Sequence, residues 1–133
     1  MTRRFLTLDV FTDRPLAGNP LAVVLDAQGL DDAAMQAIAR EFNLSETVFV
    51  VPPSEPRQRA ALRIFTPGRE LPFAGHPTVG TAVLLACLDR ADVPGAVAFG
   101  LEEKVGTVPC AVEVTGEGRG HARGRRPRLP EVT

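Results

Sequence analysis

Apolar residues recur along this chain in two rhythms, short β-type runs and longer helical ones. Residues 5–11 (Phe-Leu-Thr-Leu-Asp-Val-Phe) and 21–25 (Leu-Ala-Val-Val-Leu) read as strands, with a Gly18-Asn19-Pro20 break before the second, and the two can pair as neighbours. Asp31 and Asp32 open a predicted helix running to about Phe42. Met35, Ile38, Ala39 and Phe42 share one helical face there, and the early acidic residues suit the positive end of the helix dipole. Thr47 to Val51, ended by Pro52-Pro53, reads as a strand, and a polar loop follows to about Arg59. Residues 60–66 form another predicted strand, with Leu62 and Ile64 on one face and a Pro67-Gly68 turn after it.

The pattern changes at 77–90. Pro77 suits the first position of a helix, where a missing N–H costs nothing. From Ala82 to Leu88 every residue is apolar, so this helix has no wet face and must be surrounded by protein. The chain offers mainly strands for that purpose, at 96–99, 105–108 and 111–115. The packing this implies is α+β, a sheet curled around one central buried helix.

Composition narrows the class without naming a chemistry. A chain of 133 residues, 44% apolar, fits one domain or one lobe of something larger. A net charge of −1 gives no reason to expect nucleic acid or an acidic membrane as partner. No run approaches the ~20 apolar residues of a membrane span, and the basic start has no apolar stretch long enough for a signal peptide. Cys87 and Cys110 make no disulfide framework, so the expectation is a cytoplasmic protein with reduced thiols. Residues 117–133, rich in Arg, Gly and Pro, read as a solvated or half-ordered end.

Two places can carry chemistry. Gly75-His76-Pro77-Thr78 stands at the start of the all-apolar helix, where unpaired N–H groups and a partial positive charge favour carboxylates or phosphates. Gly75 and Gly80 would let a ligand approach the backbone, and His76 adds a proton shuttle. The plainer alternative is a histidine that packs locally at a helix start. Glu46, just before the apolar run 47–51, is placed for partial burial as a general base, or is an ordinary loop glutamate. Neither cysteine lies beside a base or a helix amino-terminus, no Cys/His grouping has metal-ligand spacing, and no phosphate-cradling glycine motif occurs.

Taken in order, several segments resemble one known family, the PhzF-like (phenazine-biosynthesis-type) isomerases. They are Leu8-Asp9-Val10-Phe11-Thr12 with Pro15-Leu16-Ala17-Gly18-Asn19-Pro20, then Ser45-Glu46-Thr47-Val48-Phe49. Arg63-Ile64-Phe65-Thr66-Pro67, Glu70-Leu71-Pro72-Phe73 and Ala74-Gly75-His76-Pro77-Thr78-Val79-Gly80 follow, and the likeness runs from about residue 5 to about 115. The resemblance implies one lobe of a diaminopimelate-epimerase-like fold, a mostly antiparallel barrel-like sheet around a central helix. Residues 1–116 would be the amino-terminal lobe and 117–133 a strand remnant and inter-lobe linker. It also implies isomerisation of a small carboxylate such as trans-2,3-dihydro-3-hydroxyanthranilate, with no cofactor and no metal. Glu46 then matches the glutamate that moves the proton, His76 the active-site histidine, and Gly75, Pro77 and Thr78 the substrate-binding helix start.

Family members are about twice this long, and their second lobe supplies an acidic residue and an Asp-Pro-x-Thr-Gly-Ser helix start absent from these 133 residues. Three organisations follow. The chain is a lobe completed by a second lobe, a non-catalytic truncated remnant that at most binds small carboxylates, or one half of a homodimer.

Overall fold

Strand alternation assigns the two sides of the sheet before any helix is placed. In β3 (Glu46–Val51), Val48 and Val50 point to one core and Phe49 to another, as period-two geometry requires. The same division recurs in β4 (Ala60–Phe65), where Ala60, Leu62 and Ile64 join the first core and Phe65 the second. The computed structural model describes residues 3–10, 19–116 and 119–124. Its remaining elements are β1 (Phe5–Val10), β2 (Asn19–Val24), α1 (Asp32–Phe42), β5 (Glu70–Leu71), α2 (Gly75–Asp89), β6 (Gly95–Glu103), β7 (Gly106–Gly116) and β8 (Arg119–Gly124).

All eight strands belong to one sheet in the order β1-β2-β3-β4-β6-β7-β8, with the short β5 attached to β4. Two pairs are parallel, β2 with β3 and β4 with β6, and the others are antiparallel. Each parallel pair is bridged by a helix, α1 in the first case and α2 in the second, because a parallel connection must cross back over the sheet. The two pairs run in opposite directions, so crossovers of the usual right hand put their helices on opposite faces. The cores agree with that placement. Met35 and Ala39 of α1 pack with Val24, Phe49 and Phe65, the two rings meeting edge to face at 5.4 Å.

The larger core lies under α2. Ala82, Leu85, Ala86 and Cys87 meet Leu21, Val23, Val48, Leu62, Ile64, Leu101, Val108, Val112 and Val114. α2 touches β1, β2, β3, β7 and β8, so strands from both ends of the sheet reach it. Enclosure is less complete than the all-apolar stretch predicts, since Val83 and Leu84 are half-buried and Leu88 is 47% exposed. Among the described residues the sheet remains open, with β1 and β8 at its two ends.

Helix α1 has the expected ends. Asp31 caps it by accepting the Ala34 N–H at 2.8 Å, and Asn43 closes it in the left-handed region at φ 52°. Helix α2 starts two residues earlier than Pro77 suggests, so Gly75 and His76 are helical and Pro77 is third in the helix. A proline fits there because the first-turn N–H groups have no helical acceptor in any case.

The strands expected at 105–108 and 111–115 are one strand, β7, running through Pro109. Pro109 lies beyond the last described β8 pair, Cys110 with Gly124, so among the described residues β7 pairs there with β6 alone. The end read as solvated or half-ordered also differs. Residues 119–124 form β8, paired with β7 and packed on α2, while 117–118 and 125–133 lie outside the described residues. Small residues make this possible. Ala122 packs on the α2 core, and a Cβ on Gly120 would come 3.3 Å from Val83 Cγ1.

Candidate active site

The amino end of α2 is reached directly from the sheet. β4 runs into the Pro67-Gly68 turn, β5 pairs back on β4 through Ile64–Leu71 and Phe65–Glu70, and α2 begins four residues after Leu71. Ala74 caps the helix with extended backbone and no side-chain hydrogen bond. The first turn is therefore not closed by a polar cap of its own, and a helix start of this kind presents N–H groups and positive potential. Among the described residues nothing lies within 4 Å of where a Gly75 Cβ would sit, so they leave this backbone open. Gly80 does not share that role: it is buried one turn further along. His76 is half-buried in the first turn, and Pro77 and Thr78 are buried.

Glu46 opens β3, next to the Thr47–Phe65 pair at the end of β4 where β5 begins. By alternation it belongs with Val48 and Val50, on the face that α2 covers. Topology thus brings Glu46 and the Gly75–Thr78 turn to the same end and the same face of the sheet. Glu46 is half-buried, and its neighbour Thr47 is fully buried on the opposite face with no hydrogen-bond partner for Oγ1 among the described residues.

Ion pairs brace the surrounding backbone. Arg63 on β4 binds both carboxylate oxygens of Glu70, at 2.9 and 2.7 Å, and reaches Asp32 at the start of α1 at 2.7 Å. Lys104 adds a contact to Glu70 at 2.9 Å. Burial alone would raise the Glu70 carboxyl, but the hydrogen bonds from Arg63 and Lys104 hold it below the usual value. β5, which leads into α2, is fixed by this cluster.

Sequence reasoning passed over Glu103. It ends β6 on the apolar face that carries Val97, Phe99 and Leu101. Its Oε2 lies 2.8 Å from the Thr78 hydroxyl, which is also 2.8 Å from the Ala74 carbonyl oxygen. Burial, opposed only by the Thr78 hydrogen bond, pushes its carboxyl up to about 7. A carboxylate continuing an apolar alternation was the available signal. The preceding Glu102 points the other way and accepts N–H groups of Ser54 and Glu55, each at 2.8 Å, which holds its carboxyl low. No group of three or more His, Cys, Asp or Glu side chains could hold a metal ion among the described residues.

The profile of the PhzC-PhzF family, described as phenazine biosynthesis-like protein, matches residues 8–127. The chain belongs to this family. It is 59% identical over 130 residues to an uncharacterized isomerase of Mesorhizobium japonicum, covering 98% of this chain and 42% of that protein. It is 46% identical over 110 residues to the trans-2,3-dihydro-3-hydroxyanthranilate isomerase of Pseudomonas aeruginosa, covering 83% and 37%. Among solved structures, a Bacillus anthracis PhzF-family phenazine biosynthesis protein superposes with a TM-score of 0.76 at 35% identity, covering 94% of this chain and 41% of that one. The chain therefore spans about 40% of the length of these PhzF-type relatives. No helix among the described residues is long and apolar enough to cross a membrane.

Proposed function

We propose that this chain is the proton-transferring lobe of a PhzF-type isomerase, its sheet wrapped barrel-like around α2 and a second lobe closing the site. The substrate is a small carboxylate of the trans-2,3-dihydro-3-hydroxyanthranilate type. Its carboxylate is held at the start of α2 by the backbone at Gly75, with Pro77 and Thr78 fixing the turn. Glu46 removes a proton from carbon and returns it, and His76 hydrogen-bonds the reacting molecule from the same helix turn. No cofactor takes part. Residues 1–116 form the amino-terminal lobe, with 117–133 as a strand remnant and inter-lobe linker.

The amino end of α2 is the observation that carries the proposal. It lacks a side-chain cap, is left open at Gly75 by the described residues, and shares one end and one face of the sheet with Glu46. The name of the Pseudomonas aeruginosa relative supports the substrate class. A general base contributes typically ~10²–10⁴-fold to such a step. The test joins this chain to the carboxy-terminal part of the Mesorhizobium japonicum relative and follows conversion of trans-2,3-dihydro-3-hydroxyanthranilate. Loss of at least ~10²-fold in Glu46→Gln, with folding intact, is expected. Equal turnover by that variant would remove Glu46 from the reaction.

A further inference from the structure

The contacts around Thr78 do not balance unless an extra proton is present. Its hydroxyl lies 2.8 Å from the Ala74 carbonyl oxygen and 2.8 Å from Glu103 Oε2, and it has one proton to give. The carbonyl can only accept. Were Glu103 ionised, it too could only accept, and one of the two short contacts would be two lone pairs facing each other. The other carboxyl oxygen, Oε1, is buried with no partner among the described residues, which is costly for a charged oxygen and much less so for a neutral carbonyl.

We propose that Glu103 is a carboxylic acid that latches the first turn of α2, donating through Oε2 to the Thr78 hydroxyl, which in turn donates to the Ala74 carbonyl. Glu103 is thus a positioning residue for Gly75–Thr78, reaching from the end of β6. Losing its proton removes the donor at Thr78 and leaves a negative charge beneath the helix start. That start should then hold a second anion less well, a consequence that rests on the carboxylate site proposed above. The raised carboxyl, at about 7, puts this change near neutral pH.

The charged neighbours do not cancel the effect. Lys104 in the β6–β7 turn and Arg63 on β4 are both engaged by Glu70 on β5. Cys110 on β7 stays protonated, pushed up to about 11 by burial first and the Glu103 charge second. His76 lies in the same helix turn, so the test must separate the two groups.

The experiment is an NMR pH titration of this chain, reading the Glu103 side-chain carboxyl carbon and the backbone amides of Gly75 and Thr78, in the wild type, Glu103→Gln and His76→Gln. Glutamine keeps a neutral donor for Thr78 and cannot titrate. The expected result is one midpoint near pH 7 shared by the carboxyl and both amides, kept in His76→Gln and absent from the amides in Glu103→Gln. A carboxyl titrating near the ordinary value of about 4.3, or amides that ignore its titration, would overturn the latch. If Glu103→Gln does not fold, Thr78→Val supplies the second check. Without the hydroxyl the two amides should follow the carboxyl with a clearly smaller shift than in the wild type, the charge alone remaining, and an undiminished shift would count against the latch.

Sodium acetate titrated at pH 6 and pH 8.5 separates the latch from the proposed function. Binding that weakens several-fold at the higher pH in wild type, but not in Glu103→Gln, supports both. Binding indifferent to pH refutes the control of the site by Glu103. No acetate binding, with the shared midpoint present, keeps the latch and counts against the carboxylate site alone.

Discussion

Replacing Gly120 with alanine puts a methyl group where β8, β7 and α2 meet. The added Cβ would lie 2.7 Å from the Glu113 carbonyl oxygen, 3.3 Å from Val83 Cγ1 and 3.4 Å from Val114 Cα. The closest of these is backbone inside the β7–β8 ladder, where Val114 pairs with Gly120 and Glu113 with His121, so it cannot rotate away. Overpacking of this kind costs about 1–3 kcal/mol. Loss of glycine freedom in the unfolded chain offsets about 0.4–1 kcal/mol of that. The net expectation is a destabilisation of about 1–2 kcal/mol. For a domain this small, with a urea slope of about 1–2 kcal/mol per molar, the midpoint should fall by about 1 M. Urea unfolding followed by circular dichroism measures it, with an unchanged slope showing that both variants unfold alike. A midpoint unchanged or raised would mean that β8 does not lie on α2, and residues 119–124 would return to the solvated end their composition suggests.

The central helix is tested by Leu85→Ala, a side chain 2% exposed in the α2 core, which should cost about 3 kcal/mol in chemical unfolding; a cost below about 1 kcal/mol would mean the site is not packed. Glu70 has its carboxyl held low, so its contribution is complete above the unfolded value and is lost as pH falls through the folded one. Arg63→Ala should therefore lower the melting temperature at pH 7 and reduce the loss seen between pH 6 and pH 3; a parallel profile would place that acid sensitivity elsewhere. For Glu103 the sign reverses. Its folded carboxyl is raised to about 7, so its contribution is full below the unfolded value and shrinks as pH rises towards 7, by at most about 3 kcal/mol. Glu103→Gln should flatten the fall in stability between pH 4.5 and pH 7.5 in denaturant titrations, and an unchanged slope would contradict the assignment.

Local elements were legible wherever periodicity was strong. α1 could be read from Met35, Ile38, Ala39 and Phe42, which share one face, and from Asp31 and Asp32 at its start; β3 could be read from its β-branched and aromatic run, and β4 from Leu62 and Ile64 before the Pro67-Gly68 turn. β8 was not. A strand against a helix needs Gly120 and Ala122 to be small, and small residues interleaved with arginine read as a tail. β7 reads as two strands in the sequence because Pro109 cannot donate to a ladder and so counts against one continuous strand. Of the site, Glu46 and Gly75–Thr78 stood out through motif and helix logic. Their shared end and face depend on strand order, which periodicity does not contain. Glu103 escaped because its partner Thr78 lies 25 residues away, and only the crossover through α2 brings them together.

The most direct test of the central claim, proton transfer by Glu46 beside the start of α2, is solvent deuterium uptake. Trans-2,3-dihydro-3-hydroxyanthranilate is incubated in D₂O with this chain joined to the carboxy-terminal part of the Mesorhizobium japonicum relative, and deuterium at carbon is read by NMR. Deuterium entering at a single carbon with the wild type, and failing to enter with Glu46→Gln, is the predicted result. Equal deuterium uptake by the two proteins would contradict it.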